Sequence, residues 1–315
     1  MRTAVIGTGR IVPESVEAMR TVGIDIPVIW GRNRKKAEDV AASLGIPEAT
    51  DDYPVLLQRP DIDFVYIGLI NSVHYAYAVQ ALESGKNVLV EKPLCTRLED
   101  AAALADLARS RGLFLFETVS NIHLPAFRKV QEQLPAIGTL KLVQAGFSQY
   151  SSKYDAYLQG EVTSAFDPAC EGGALRDLNV YNLHFVQRLF GAPSGVVFRA
   201  NFGWNGIDTS GTALLSYDGF QAVCTAAKDS GSPSGILLQG DKGYIQVDGM
   251  PNVCPSVTLA VRGCAPVTCK PNHYQNRLCH MYGSFRDIYA ARDHAAMESL
   301  LATSLSVMGT LAACL

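Results

Sequence analysis

The first third of the chain alternates short apolar runs with helical patterns, and this constrains the fold more than any other feature. Thr3-Ala4-Val5-Ile6, Pro27-Val28-Ile29-Trp30, Phe64-Val65-Tyr66-Ile67, Asn87-Val88-Leu89-Val90 and Leu113-Phe114-Leu115-Phe116 read as buried strands. Between them lie helical patterns from about Ile11 to Val22, Arg34 to Leu44, Val73 to Ser84 and Leu98 to Arg111. Gly45, Gly85 and Gly112 stop the last three. Strands that are apolar throughout bury both faces, and each helix supplies the crossover to a parallel neighbour. Right-handed crossovers then leave an α/β, doubly wound parallel sheet of the Rossmann kind as the expected architecture.

The pattern changes near residue 120. Helices are expected from Pro125 to Leu134 and from about Gly173 to Phe190, and strands with turn signals follow. Leu214–Tyr217 and Phe220–Val223 flank Asp218-Gly219, and Ile236–Gln239 and Tyr244–Val247 flank Gly240-Asp241-Lys242-Gly243. Both read as antiparallel hairpins. The expectation is a C-terminal α+β domain with an open antiparallel sheet. The 315 residues suit two domains at roughly 150 residues each: 1–120 for the parallel domain and 121–294 for the second.

Composition removes several function classes. With 48% hydrophobic residues the chain is not disordered. Lys plus Arg number 27 against 30 Asp plus Glu, a net charge of −3. That balance makes no broad basic field, so neither nucleic acid nor an anionic membrane surface is the expected partner. The 8 cysteines include no C-x-x-C pair, and Cys264 and Cys269 lack a paired His set, so no metal site is expected. Arg2 leads directly into a strand and not into a leader-like apolar region, and free, mostly buried thiols in a reducing cytoplasm are expected. From Ala295 to Leu315 the only charge is Glu298, but Ser299, Thr303, Ser304, Ser306 and Thr310 keep the segment mildly apolar. Leu300, Leu301, Leu305, Met308 and Leu311 recur at helical spacing, as in a terminal helix packed in a core.

Gly7-Thr8-Gly9-Arg10-Ile11-Val12 joins the first strand to the first helix. Two glycines there permit a tight turn and bring backbone N–H groups at a helix N-terminus close to a pyrophosphate. Val12 stands where the full fingerprint has a third glycine. A G-x-G alone is any tight strand–helix turn; its place in the first βα unit points to a dinucleotide. An NAD site usually carries Asp or Glu about 20 residues further on, to hold the ribose 2′-hydroxyl. Here Trp30-Gly31-Arg32-Asn33-Arg34-Lys35-Lys36 contains no acid. Arg32, with Asn33 as donor and room left by Gly31, suits a 2′-phosphate, so NADP is expected over NAD.

Two further stretches carry chemistry. Val90-Glu91-Lys92-Pro93 closes the fourth strand, where strand ends face the ligand crevice, and Asn71-Ser72-Val73-His74 follows the third. Gly172-Gly173-Ala174-Leu175-Arg176-Asp177-Leu178-Asn179-Val180-Tyr181 sets Asp177 and Tyr181 four residues apart, on one helix face. Its glycines let the helix start close to another backbone.

In this order and at these intervals, G-x-G, N-S-x-H, G-K-N-V-L-V-E-K-P and G-G-A-L-x-D-x-x-x-Y resemble the glucose–fructose oxidoreductase / inositol dehydrogenase / MocA (Gfo/Idh/MocA) family of NAD(P)-dependent oxidoreductases. The resemblance covers essentially the whole chain. It implies that helix 295–315 packs back on the nucleotide domain. It also implies that Lys92 lies beside the nicotinamide and the reacting carbon, that Asp177 and Tyr181 stand at the Asp and His of a D-x-G-x-H motif, and that Asn71, His74 and Glu91 line the cofactor. The expected cofactor-binding set is Gly7, Gly9, Arg10, Ile11, Arg32, Asn33, Leu69, Asn71, His74, Glu91 and Lys92; Lys92, Tyr181 and Asp177 are the expected catalytic residues. Ile70 replaces the family's usual proline and Asn179 its usual glycine. The E-A-x-W-x-R-x-x-P stretch reads Glu117-Thr118-Val119-Ser120-Asn121-Ile122-His123-Leu124-Pro125, without tryptophan and arginine, which removes support for a dihydrodiol substrate. Asn121, His123 and Tyr154 are candidate substrate contacts.

The implied activity is reversible hydride transfer between NADP(H) and the hydroxyl or carbonyl carbon of a sugar, polyol or related small molecule. Tyr181 would exchange the hydroxyl proton, and Lys92 would favour its phenolate and stabilise an oxyanion. Asp177 would orient either the substrate or the lysine. The alternatives on the same fold are a non-catalytic NADP-binding sensor, which the presence of Lys92 disfavours, and a glycoside hydrolase that retains its dinucleotide. A sheet with one uncovered face, together with the resemblance, implies a homodimer or a higher homo-oligomer.

Overall fold

The structure is a computed structural model describing residues 1–315. The chain divides into two compact units, Met1–Thr118 with Leu278–Leu305, and Val119–Arg277 with Ser306–Leu315.

The first unit holds strands β1 (Thr3–Ile6), β2 (Val28–Trp30), β3 (Glu48–Thr50), β4 (Phe64–Ile67), β5 (Asn87–Glu91) and β6 (Leu115–Thr118). Its first five helices are α1 (Val12–Thr21), α2 (Arg34–Leu44), α3 (Tyr53–Leu57), α4 (His74–Glu83) and α5 (Leu98–Arg111). The strands pair in parallel in the order β3-β2-β1-β4-β5-β6. Every residue of β1 and β4 is fully buried, the burial that a central parallel strand covered on both faces requires. The chain leaves β1 toward β2 on one side and β4 toward β5 on the other. That reversal opens a crevice at the carboxyl ends of β1 and β4.

The sequence pattern shows five strands here and the structure has six. The additional one, Glu48-Ala49-Thr50, pairs only with β2 and is exposed or half-buried. An edge strand with one partner carries no apolar run by which to be recognised.

The second unit contains α6 (Pro125–Gln133), β7 (Leu140–Ser148), α7 (Tyr154–Leu158) and α8 (Val180–Phe190). Seven strands follow: β8 (Gly195–Phe202), β9 (Asp208–Tyr217), β10 (Phe220–Ala227), β11 (Gly235–Gly240), β12 (Gly243–Asp248), β13 (Val257–Val261) and β14 (Val267–Cys269). They form one sheet in the order β14-β13-β12-β11-β7-β10-β9-β8. Both expected hairpins are present, with Tyr217 opposite Phe220 and Gln239 opposite Tyr244. The sheet is mixed, not wholly antiparallel. β7 is inserted between β10 and β11, which run in opposite directions, so it must be parallel to one of them, and that one is β10.

Two helices complete the chain, α9 (Leu278–Ala290) and α10 (His294–Ala313). The sequence pattern leaves residues 278–293 in the second domain, whereas α9 belongs to the first unit. Met281, Tyr282 and Phe285 share a core there with Val12, Val16 and Met19 of α1. Helix α10 is long and apolar enough to span a bilayer. Its Met297, Leu301, Val307, Met308 and Leu311 are nevertheless buried within the protein. In the second unit Ser306 donates to Gln187 Oε1 (2.5 Å) and Gln187 Nε2 donates to Thr310 (2.9 Å). Those contacts are what a core helix makes. All eight cysteines are free; Cys95, Cys224, Cys254 and Cys279 are buried, and Cys264 is exposed.

The helix expected from Gly173 to Phe190 starts differently from a plain α-helix. Leu175–Asn179 forms a π turn that runs into α8. Asp208 Oδ2 accepts the Leu175 N–H at 2.6 Å and caps it. Gly173 has φ +98, and a Cβ there would lie 1.9 Å from Asp208 Oδ1, so the carboxylate occupies the space a side chain would take. At Gly172 a Cβ would lie 2.6 Å from the Ser164 carbonyl oxygen, the close backbone approach that the glycine pair predicts. Burial pushes the Asp208 carboxyl up to about 6 against the opposing Leu175 hydrogen bond and the Lys228 and Arg176 charges.

Asp208 therefore binds its proton more tightly folded than unfolded. Its contribution favours folding below the ordinary value of 3.8 and is lost as pH rises through about 6. Asp208→Asn keeps the cap acceptor and removes the titration. The stability of wild type minus variant, from urea unfolding, is expected to fall by on the order of 2 kcal/mol between pH 4 and pH 6.5. A difference independent of pH would contradict this account of the cap.

Candidate functional site

The crevice of the first unit is built on one close backbone approach. Gly7 N donates to Trp30 O (2.9 Å) and Gly68 N to Ile6 O (2.8 Å), which brings the turn after β1 against the end of β4. Gly7 has φ +123, and a Cβ there would lie 2.4 Å from the Gly68 carbonyl oxygen. At Gly9 the nearest atom to such a Cβ is 3.7 Å away, an ordinary contact. A cavity of about 620 Å³ opens over this turn. Its walls include Trp30 and Tyr77, whose ring centroids are 5.3 Å apart, and Leu69, Ile70 and Val73 from the loop after β4.

The end of β2 and the first turn of α2 supply the polar part of the lining: Arg32, Asn33 and Lys36. No carboxylate lines the cavity. Arg34 instead bonds Glu38 (2.8 Å) and Asp51 (3.5 Å), and Lys35 bonds Asp39 (2.6 Å). Those two charges are matched along the helix, while Arg32 and Lys36 face the cavity. Lys36 lies within the acid-free run already noted, and a helical turn brings it level with Asn33. Asn33 Oδ1 caps α2 by accepting the Lys36 N–H at 2.9 Å, so its amide NH₂ is the donor it offers to a ligand. Gly31 lines the cavity beside Arg32, and its lack of a side chain has a second consequence. A Cβ there would lie 2.9 Å from Thr8 Cγ2 and 3.3 Å from Ala37 Cβ, so this glycine lets the turn pack against α2. Exposed Arg10 and half-buried Ile11 precede α1 and do not line the cavity.

The loops after β4 and β5 are pinned together. His74 is fully buried, with Nδ1 2.9 Å from Pro93 O and Nε2 3.2 Å from Leu69 O. Burial lowers its pKa, opposed by those two carbonyls. His74 thus joins the two loops from beneath and does not line the cavity. Lys92 follows β5 directly and is half-buried, and its peptide bond to Pro93 is cis. Beyond it, Leu94 N donates to Glu117 Oε1 at 2.9 Å, which ties the loop to β6. Glu91 points into the core, where Tyr66 donates to Oε1 (2.8 Å) and lies 3.0 Å from Ser15 Oγ. Burial raises the Glu91 pKa, while its hydrogen bonds and Lys92 act the other way. Asn71 opens the 3₁₀ turn that leads into α4.

In the second unit Asp177 sits in the π turn and Tyr181 in the first turn of α8. Four residues return to nearly the same face in either helical geometry. Asp177 Oδ2 accepts from Lys228 Nζ at 2.8 Å. The Lys228 side chain is only 4% exposed; its Nζ also donates to Ala165 O (3.1 Å) and lies 4.9 Å from the Phe166 ring centroid. Lys228 stands 51 residues from Asp177 and follows β10, and nothing in its sequence surroundings marks it. Tyr181 is 7% exposed, and its backbone oxygen accepts from Asn121 Nδ2 at 2.7 Å. Asn121, itself fully buried, thus anchors α8. His123 is buried, and burial with Arg188, Arg128 and His184 pushes its pKa down to about 3, so the ring is neutral at physiological pH. Tyr154 is half-buried at the start of α7, among the rings of Tyr150, Tyr157 and Phe166.

Residues 1–119 match the model of an oxidoreductase family with an NAD-binding Rossmann fold, GFO_IDH_MocA, and residues 127–246 match the GFO/IDH/MocA C-terminal domain. The scyllo-inositol 2-dehydrogenase (NADP(+)) IolU of Bacillus subtilis is 33% identical over 249 residues, 79% of this chain and 76% of that protein. The dTDP-3,4-didehydro-2,6-dideoxy-alpha-D-glucose 3-reductase of Streptomyces violaceoruber is 34% identical over 227 residues, 70% of this chain and 64% of the relative. Among solved structures, KijD10, a 3-ketoreductase from Actinomadura kijaniata in complex with NADP and TDP-benzene, superposes with a TM-score of 0.83. It is 24% identical, over 96% of this chain and 94% of the other, a likeness of fold. A levoglucosan dehydrogenase in complex with NADH and levoglucosan gives 0.85 at 16% identity, over 99% and 97%.

The two glycines of the turn are expected to differ sharply. Gly7→Ala meets both a left-handed φ and the Gly68 carbonyl, and should cost about 2–3 kcal/mol or more in urea unfolding. Gly9→Ala should cost less than about 1 kcal/mol. Equal effects would contradict the close approach.

Proposed function

The chain belongs to the Gfo/Idh/MocA family of oxidoreductases, and from that premise we propose that it transfers a hydride between NADP(H) and the hydroxyl or carbonyl carbon of a sugar, polyol or related small molecule. The observation that carries the cofactor choice is the cavity lined by Arg32, Asn33 and Lys36 with no carboxylate. A carboxylate would repel a 2′-phosphate; two cations and an amide donor attract it. The glycine turn without a side chain at Gly7, and the aromatic wall of Trp30 and Tyr77, fit a dinucleotide whose pyrophosphate meets backbone N–H groups. The kinship with an NADP-dependent inositol dehydrogenase supports both the cofactor and the substrate class.

NADP supplies or accepts the hydride at C4 of its nicotinamide. The chain's own residues do the rest. Tyr181 exchanges the substrate's hydroxyl proton through its phenol, whose ordinary pKa is about 10. Lys92 is the cation that favours the phenolate and offsets negative charge on the reacting oxygen. Asp177 accepts a hydrogen bond from the substrate and orients it. His74 and Glu117 hold the loop that carries Lys92. Asn121 holds the helix that carries Tyr181. Under this reading Leu69 and Asn71 border the cofactor, and Tyr154 remains the candidate substrate contact with an exposed surface.

The second unit's sheet also presents apolar side chains to solvent, among them Val197, Leu214 and Tyr244, each 38–51% exposed. A second copy of this chain is the proposed cover for that face, giving a homodimer. A chain with eight free thiols suits a reducing cytoplasm.

Fluorescence titration should show NADPH binding at least tenfold tighter than NADH. Arg32→Ala with Lys36→Ala should weaken NADPH by about 10- to 100-fold and leave NADH unchanged. With a polyol panel that includes scyllo-inositol and levoglucosan, Lys92→Ala and Tyr181→Phe should lower kcat by about 10²- to 10⁴-fold while still binding NADPH. Equal affinity for the two cofactors would overturn the cofactor assignment. Wild-type kcat in both variants would overturn the assignment of Lys92 and Tyr181.

A further inference from the structure

Lys228 is one of two buried lysines in the chain: Lys86 donates to the Arg59 and Ile62 carbonyls, whereas Lys228 meets a carboxylate. The Lys228 side chain is 4% exposed, beneath a fully buried Phe166. An ammonium taken out of water costs several kcal/mol unless a carboxylate meets it at hydrogen-bonding distance. Asp177, at 2.8 Å, is that carboxylate, and it is 40% exposed on its other side. The pair is therefore asymmetric, with a cation locked in the interior and an anion reaching the surface.

The other charged groups nearby are already engaged. Asp208 caps the π turn through Leu175 N. Arg176 pairs with Glu171 at 2.7 Å. Asp229 accepts from Thr209 and Ser210 at 2.7 Å each. The backbone around Lys228 is fixed as well: its N–H donates to Thr209 O (2.8 Å), and its carbonyl accepts from Ser151 N (2.9 Å).

We propose that Lys228 is the positioning residue of Asp177: it holds one carboxylate oxygen and favours the ionised form, so that Asp177 meets a substrate hydroxyl as an acceptor in a fixed orientation. The inference deepens the proposed function and rests on its placement of Asp177 at the substrate. Within its own unit the Asp177 Oδ2 atom is engaged by Lys228.

The test compares pH profiles of kcat/KM for wild type, Lys228→Met, Lys228→Gln, Lys228→Arg and Asp177→Asn, using NADP⁺ and the fastest polyol of the panel. The glutamine variant keeps a donor for the Ala165 carbonyl, so the comparison survives if the methionine variant does not fold. An opposite charge within a few ångströms lowers a carboxyl's pKa by about 1–3 units. Because Asp177 is 40% exposed and screened by water, removing the cation should raise the acid limb of the profile by up to about 1 unit in the methionine and glutamine variants, while the arginine variant keeps the wild-type limb. NADPH affinity should stay unchanged throughout. The double variant Lys228→Met/Asp177→Asn should be no slower than Asp177→Asn alone, because the lysine acts only through the aspartate. An unmoved acid limb alongside an impaired Asp177→Asn would overturn the role of Lys228 alone. A wild-type profile for Asp177→Asn would overturn the placement of Asp177 at the substrate instead.

Discussion

The first unit depends on the contact between the backbone at Gly7 and the carbonyl of Gly68. Two adjacent parallel strands, β1 and β4, send their chains to opposite sides of the sheet. Only a residue without a side chain lets the two turns meet at their carboxyl ends. From that contact come the floor of the cavity, the direction in which α1 leaves it, and the position of Leu69 and Ile70 along its wall. The Rossmann strand order places the crevice, and the missing Cβ at Gly7 lets the two turns close against each other on its floor.

Precision in the adjoining loops comes from buried polar groups. His74 joins the loops after β4 and β5, Glu117 takes the N–H of Leu94, and Tyr66 and Ser15 settle Glu91. Each of these groups costs free energy to bury unless it is hydrogen-bonded. The loop bearing Lys92 is consequently held from both sides. The second unit works similarly: Asp208 starts the helix of Asp177 and Tyr181, Asn121 and Asn179 tie it down, and Lys228 fixes the carboxylate.

What the sequence makes legible follows from how local each signal is. Apolar strands and glycine-stopped helices are local, and α2 and α5 have the predicted bounds. The glycine turn and the acid-free end of β2 are local too. The edge strand Glu48–Thr50 has no apolar run and is recognisable only by its partner. The parallel pair β7–β10 sets Leu142 beside Gln221, from strands distant in the chain, and no turn signal encodes that pairing. Lys228 escapes for the same reason, since a lysine after a strand looks like any solvated lysine until the fold sets it under Phe166 and beside Asp177. His74 and Gly31 illustrate a third kind of gap, in the packing roles that the motifs do not reveal. The residues are noteworthy as the motifs suggest, but packing decides what they do: one staples two loops and the other lets a turn close on α2.

The central claim, that this chain moves a hydride between a carbon and NADP, is tested most directly by isotope transfer. The protein is incubated with NADP⁺ and inositols carrying deuterium on carbon, and the reduced cofactor is examined by proton NMR. The account predicts one deuterium at C4 of the NADPH formed, on a single face, and none acquired from deuterated water when unlabelled inositols are used. NADPH carrying hydrogen from solvent, or no reduced cofactor from any member of the polyol panel, would contradict it.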